Sequence, residues 1–141
     1  MDRIFGVLIK QTNSVLSRDA DKFAQTLGLT RMQISIIDYV SRLENDKYIF
    51  QKDIESEFNI RRASATSALK LMEKNDLLVR VPMENDARLK RILLTPKSRQ
   101  LSKSIRKYFS ETEDKLCQAV GLDNEGIVKE GLKNILEVFS D

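Results

Sequence analysis

A mainly α protein with one small β-hairpin is predicted by three features of this sequence. Apolar residues recur at spacings of three and four along most of the 141 residues, as amphipathic helices require. Two prolines and five glycines are too few for a multi-strand β-protein or a disordered chain. The exception is LLVRV (77–81), followed by a polar run and RILLT (91–95), which reads as two strands joined by a connection. Hydrophobic content of 41% suffices for a core, so one compact structural unit is expected.

Each element has its own signal. Residues 2–27 read as a helix with Ile4, Phe5, Leu8, Val15, Leu16, Phe23 and Leu27 at helical spacing, and Gly28 as its stop. Thr30 with Gln33 resembles a capping box opening a helix whose Met32, Ile36, Val40 and Leu43 share a face. ENDKY (44–48) has turn composition, and Tyr48-Ile49-Phe50 reads as a very short strand. A brief helix at 51–58 places Ile54 and Phe58 one turn apart, and Asn59 suits a tight turn because Asn tolerates positive φ.

The next helix, 61–75, turns Ala65, Ala68, Leu69 and Met72 to the core and presents Ala63, Thr66, Ser67, Lys70 and Lys74 on the other side. In LLVRV, Leu77, Val79 and Val81 alternate with Leu78 and Arg80, as in a strand covered mainly on one side. Residues 82–90 form a long polar connection. After Pro96 a helix runs to Val120 with Leu101, Ile105, Tyr108, Thr112, Leu116 and Ala119 on one stripe. Gly121 ends it, and Asp123 is expected to cap a last helix whose Val128, Leu132, Ile135 and Phe139 form the buried face.

Charge gives this layout a purpose. The chain carries a net +3, but residues 61–107 hold 13 Lys/Arg against 4 Asp/Glu, a net +9, while 1–60 and 108–141 are net −1 and −5. Cations on a small-residue helix and the hairpin after it form a surface suited to a polyanion, because Lys and Arg release counterions from phosphates. Helix followed by basic hairpin is the arrangement of a winged helix-turn-helix, with the helix in a major groove and the hairpin on flanking DNA. The candidate DNA contacts are Arg62, Ser64, Thr66, Ser67 and Lys70 on the helix, and Asp86, Arg88, Lys90 and Arg91 on the hairpin. Asp86 is expected to hold Arg88 extended through a bidentate pair. A merely solvated basic face fits the concentration of charge at the hairpin tip less well. A winged helix can also serve as a protein–protein interaction module, but such a module has no need of Asp86-x-Arg88 beside further cations.

Other function classes lose ground by composition. No histidine and a single cysteine, Cys117, remove the usual zinc ligand sets, an internal disulfide and His-based catalysis. No catalytic residue, metal site or cofactor is expected. Cys117, beside Leu116 and Val120, is expected to pack as a small hydrophobe. The opening residues lack a basic segment followed by an apolar run, and no apolar cluster approaches the roughly 20 residues needed to cross a bilayer. A cytoplasmic location without membrane contact is expected. Ile4, Phe5 and Leu8, with Leu132, Ile135, Leu136 and Phe139, offer more apolar surface than one slim helical layer covers, so burial between two subunits is expected.

The markers LGLT-xx-Q (27–33), T-x-x-x-x-x-M-E-K (66–74), LLVR (77–80) and D-A-R followed by LLT (86–95) resemble, in order and spacing, the MarR (multiple-antibiotic-resistance regulator) family. The likeness covers nearly the whole chain. It implies a homodimeric transcriptional regulator, most often a repressor on a palindromic operator. Residues 1–28 and 96–141 would form the helical dimerisation region and 29–95 the winged helix-turn-helix. The wing arginine of the family, which enters the minor groove, matches Arg88, and its aspartate partner matches Asp86. Many relatives release DNA when a small aromatic or phenolic acid binds, and Phe5, Ile9, Ile36 and Tyr39 are the candidate ligand residues here. Two departures stand out. Asp76 replaces a common Gly, which leaves the fold intact because Asp reaches the left-handed region at modest cost. Ser67 occupies a position often held by Arg, which bears on the operator sequence.

Overall fold

The structure, a computed structural model, describes residues 4–140. Six helices and one hairpin follow in the order α1 (Ile4–Thr26), α2 (Arg31–Leu43), α3 (Gln51–Phe58), α4 (Arg62–Lys74), β1 (Leu78–Met83), β2 (Asp86–Leu94), α5 (Pro96–Val120) and α6 (Glu125–Phe139). The first helix was expected from residue 2, and residues 2 and 3 lie outside the described residues. By packing, the described residues fall into two compact units. One ends at Ile105 and the other begins at Arg106. The division runs inside α5, whereas the expected change of role falls at Pro96.

In the first unit the core is built around α2. Thr30 caps it by a reciprocal pair: its Oγ1 accepts the Gln33 N–H at 3.2 Å, and Gln33 Oε1 accepts the Thr30 N–H at 3.0 Å. Burial on α2 is wider than the single face expected, taking in Gln33, Ile34 and Ile37 as well as Ile36 and Val40, because the helix is packed against α1, α4 and β2. Ile54 of α3, Ala65, Leu69 and Met72 of α4, Leu77, Leu78 and Ile92 complete this core. Ala68, expected with them, is only half-buried.

Three left-handed residues turn the chain in this unit. Gly28 has φ 71° and Asn59 φ 49°, as their sequence positions suggested. Asp76, where a glycine would be easier, has φ 59°; its carbonyl accepts the Thr95 hydroxyl at 2.8 Å, which holds the turn against the start of α5. Residues 48–50 form no strand. Ile49 contributes one backbone bond, its carbonyl accepting the Ile92 N–H at 2.7 Å.

The hairpin differs from expectation in two ways. Its strands run on to Met83 and Asp86, leaving only Glu84 and Asn85 between them. Pro82 pairs with Lys90 while Met83 pairs with Asp86, so residues 87–89 bulge from the ladder. The covered side of β1 carries Leu78 and half-buried Arg80, while Val79 and Val81 are exposed. Alternation identifies two faces but does not say which one is inside.

The second unit contains the rest of α5 and all of α6. Gly121, at φ 98°, ends α5; a Cβ there would also meet the Asn124 amide at 3.1 Å. Asn124 rather than Asp123 is the residue before α6, and its side chain donates to the Val120 carbonyl at 3.1 Å instead of capping α6. Lys129 joins the two helices, 3.4 Å from Glu113 and 3.5 Å from Glu125. Within one chain α6 has no buried residue. The expected buried face of Val128, Leu132 and Phe139 is exposed, and only Ile135 is half-covered.

Candidate nucleic-acid interface

The helix α4 owes its exposure to what precedes it. Left-handed Asn59 closes α3, its N–H reaching the Glu55 carbonyl, and the chain restarts at Arg61 in an extended conformation. Arg61 makes no side-chain cap bond, so no cap takes up the first N–H groups of the helix, the kind of terminus that attracts anions. With Ala65, Leu69 and Met72 facing the core, the outer side displays Arg62, Ala63, Ser64, Ser67 and Lys70, all exposed. Methyl and hydroxyl side chains let a helix backbone approach base edges, and the flanking cations suit phosphates.

Thr66, expected beside them, is drawn inward. Its hydroxyl accepts a hydrogen bond from Gln51 Nε2 at 2.9 Å, which couples the first residue of α3 to the middle of α4. Nothing in the sequence marked Gln51 for this role, since the two positions meet only when α3 and α4 cross.

Arg88 sits in the bulge of the hairpin with its side chain 94% exposed. Asp86 Oδ1 accepts both the Arg88 backbone N–H at 3.0 Å and its Nε at 3.4 Å. One carboxylate oxygen does the holding, not the two-oxygen fork expected. Lys90 is exposed. Arg91 is not: it is half-buried, with its guanidinium carbon 4.5 Å from the centroid of the Tyr48 ring. The base of the hairpin is tied to α4 by Arg80, whose Nε and Nη2 donate to Glu73 Oε1 at 3.0 and 2.7 Å.

The candidate ligand residues are not gathered at one surface. Phe5 and Ile9 are exposed on α1, Ile36 is sealed in the core, and Tyr39 packs edge-on against Phe58 at 5.9 Å. Cys117 does not pack as a plain hydrophobe. Its Sγ lies 3.9 Å from Glu113 Oε1, and its pKa is raised chiefly by hydrogen bonding to Glu125, then by desolvation. Among the described residues no cluster of His, Cys, Asp or Glu is arranged to hold a metal ion, and no helix is long and apolar enough to cross a membrane.

Comparison with known proteins gives this geometry a context. Residues 27–89 match the family model described as the MarR family. The transcription regulator MarR from Oenococcus oeni PSU-1 is 33% identical, with 94% of this chain and 98% of that one covered and a TM-score of 0.87. Staphylococcus aureus MepR in complex with DNA is 20% identical, covering 96% and 98%, with a TM-score of 0.85. MepR in its DNA-binding conformation covers the same shares at 20% identity with a TM-score of 0.86. A search of curated protein sequences gave no match.

Proposed function

From the premise that the chain belongs to the MarR family of transcription regulators, we propose that it is a homodimeric repressor that binds a palindromic DNA operator. In this reading α4 lies in the major groove, with Ser64, Ser67 and Lys70 toward the bases and Arg62 toward the backbone, while Arg88 enters the flanking minor groove. Residues 29–95 are the DNA-binding region, and the apolar faces of α1 and α6 are covered by a second subunit. Release by a small aromatic or phenolic acid completes the reading, and its support is the family alone.

The observation that carries the proposal is the tip of the wing. A guanidinium 94% exposed to solvent gains little stability from its carboxylate. Asp86 nevertheless constrains it at both backbone and side chain. Such an arrangement has a use if an extended cation must be ready for an external anion, and groove width as well as charge would draw it to A·T-rich minor grooves.

The test is a pair of titrations, against selected operator and random duplex, at two salt concentrations. Arg88→Ala is expected to weaken binding to both and to flatten the salt dependence, with Asp86→Ala acting in the same direction but less. Unchanged affinities for Arg88→Ala would favour a protein-binding winged helix instead. Binding-site selection is expected to return paired half-sites about one helical turn apart; unrelated single half-sites would overturn the two-fold arrangement.

A further inference from the structure

Arg91 is held unlike the other arginines around the hairpin. Arg80, Arg88 and Arg99 are paired with carboxylates on Glu73, Asp86 and Glu44. Arg91 has no carboxylate pair among the described residues; it lies on the Tyr48 ring, and its buried Nε has no hydrogen-bond partner. A ring face attracts a cation through its quadrupole but carries no net charge, so it can orient Arg91 without neutralising it. The neighbouring backbone fixes the pair in place. Tyr48 precedes Ile49, whose carbonyl accepts the Ile92 N–H next to Arg91. Arg91 pairs in register with Val81, on the body side of the bulge that carries Arg88.

We propose that Tyr48 is a positioning residue that pre-orders Arg91 as a phosphate anchor at the root of the wing. The proposal rests on the DNA-binding reading above and adds a second, separately held cation to it. Arg88 reaches out from a bulge on a carboxylate tether. Arg91 stays close to the body of the unit with its charge uncompensated, where the guanidinium can meet a backbone phosphate as the wing docks.

Phosphate contacts carry no sequence information, so random-sequence duplex DNA is a sufficient probe. The wild type, R91A, R91Q, Y48L, Y48F and R88A are titrated with it over a range of salt, with melting temperature as a check on folding. R91Q, which keeps a polar stem, serves if R91A does not fold. Both Arg91 variants are expected to lower the slope of log affinity against log salt by about 0.9 per wing. Y48L keeps the charge, so its slope stays at the wild-type value while binding weakens about 2–5-fold, the size of a lost cation–π contact. Y48F retains the ring and binds as wild type. A wild-type slope in R91A and R91Q overturns the anchor, and wild-type affinity in Y48L overturns the role of Tyr48. R88A separates the two readings: if it flattens the slope and the Arg91 variants do not, only this inference fails. If none of them alters the slope, the DNA-binding reading fails as well.

Discussion

Ile34, Ile36 and Ile37 of α2 are fully buried within a single chain, whereas Leu132, Leu136 and Phe139 of α6 are 49%, 61% and 82% exposed. Both helices carry apolar residues at the spacing of a buried face. The region from α2 to β2 completes its own core, because α2 is covered by α1, α4 and β2 and Leu77, Leu78 and Ile92 are buried in the same unit. The start of α1 and the whole of α6 do not: Ile4, Phe5 and Leu8 are exposed on α1, and Ile127 and Val138 are exposed on α6. Apolar area left in water forgoes roughly 25 cal/mol per Å², and patches of this kind mark association surfaces. Helical periodicity therefore marks an apolar face without saying whether the chain's own fold covers it.

Charging the unsealed face is the most direct way to break this contrast. Leu136→Asp with Phe139→Asp is expected to split the proposed dimer into monomers, because two carboxylates cannot be desolvated in an apolar interface. Sedimentation velocity at micromolar concentration reads the outcome. A wild type that already sediments as a monomer would remove the dimeric reading altogether.

Truncation inside the sealed core sharpens the same contrast. Ile37→Ala should destabilise by about 2–5 kcal/mol, and the loss should not depend on protein concentration. Leu136→Ala should instead give a loss that varies with concentration, since association is linked to folding by mass action. Denaturant melts at two protein concentrations distinguish the two. Equal concentration dependence for both variants would mean that the regions are not independently closed.

A smaller effect is expected at the turn after α4. Asp76 holds φ 59°, a conformation that costs an L-residue free energy and glycine little. Asp76→Gly should raise stability by up to about 1 kcal/mol. A clear loss would show that the Asp76 side chain contributes something the backbone geometry does not explain.

The smallest effect concerns the exposed charges joining α5 and α6. Glu125 has a lowered pKa, first through its hydrogen bond with Cys117 and then through Lys129. A lowered folded value means stability present above the unfolded carboxylate pKa of about 4.3 and lost as pH falls through the folded value. Lys129 is raised, chiefly by Glu125, so its contribution is full below the unfolded lysine pKa and is lost as pH rises through the folded one. Hydrogen-exchange protection of α6 should therefore be flat around neutrality and fall slightly at either extreme. The Cys117 thiol, pushed up chiefly by Glu125, should alkylate more slowly than a free thiol at the same pH. Glu125→Gln should speed it, and an unchanged alkylation profile would exclude Glu125 as the cause.

Much of this architecture was legible because it rests on local chemistry. The Thr30–Gln33 capping box, the left-handed turns at Gly28 and Asn59, and the inward face of α4 at Ala65, Leu69 and Met72 each involve residues within a few positions of one another. The wing was legible as a cluster of charge, and Asp86 and Arg88 met as expected because they are two residues apart. The contacts that Thr66 and Arg91 make within the chain were not legible, for the opposite reason. Their partners, Gln51 and Tyr48, are distant in sequence and arrive only through packing.

By itself the amino-acid sequence determined the order of the helices, the cap that opens α2, and where positive charge accumulates, since these follow from spacing, local capping and composition. Tertiary structure alone decided that β1 covers Leu78 and Arg80 rather than Val79 and Val81, that Ala87, Arg88 and Leu89 bulge from the ladder, and that Tyr48 holds Arg91. A period of two has no sign, and strand register depends on a partner. A ring meets a cation only after the backbone has brought them together.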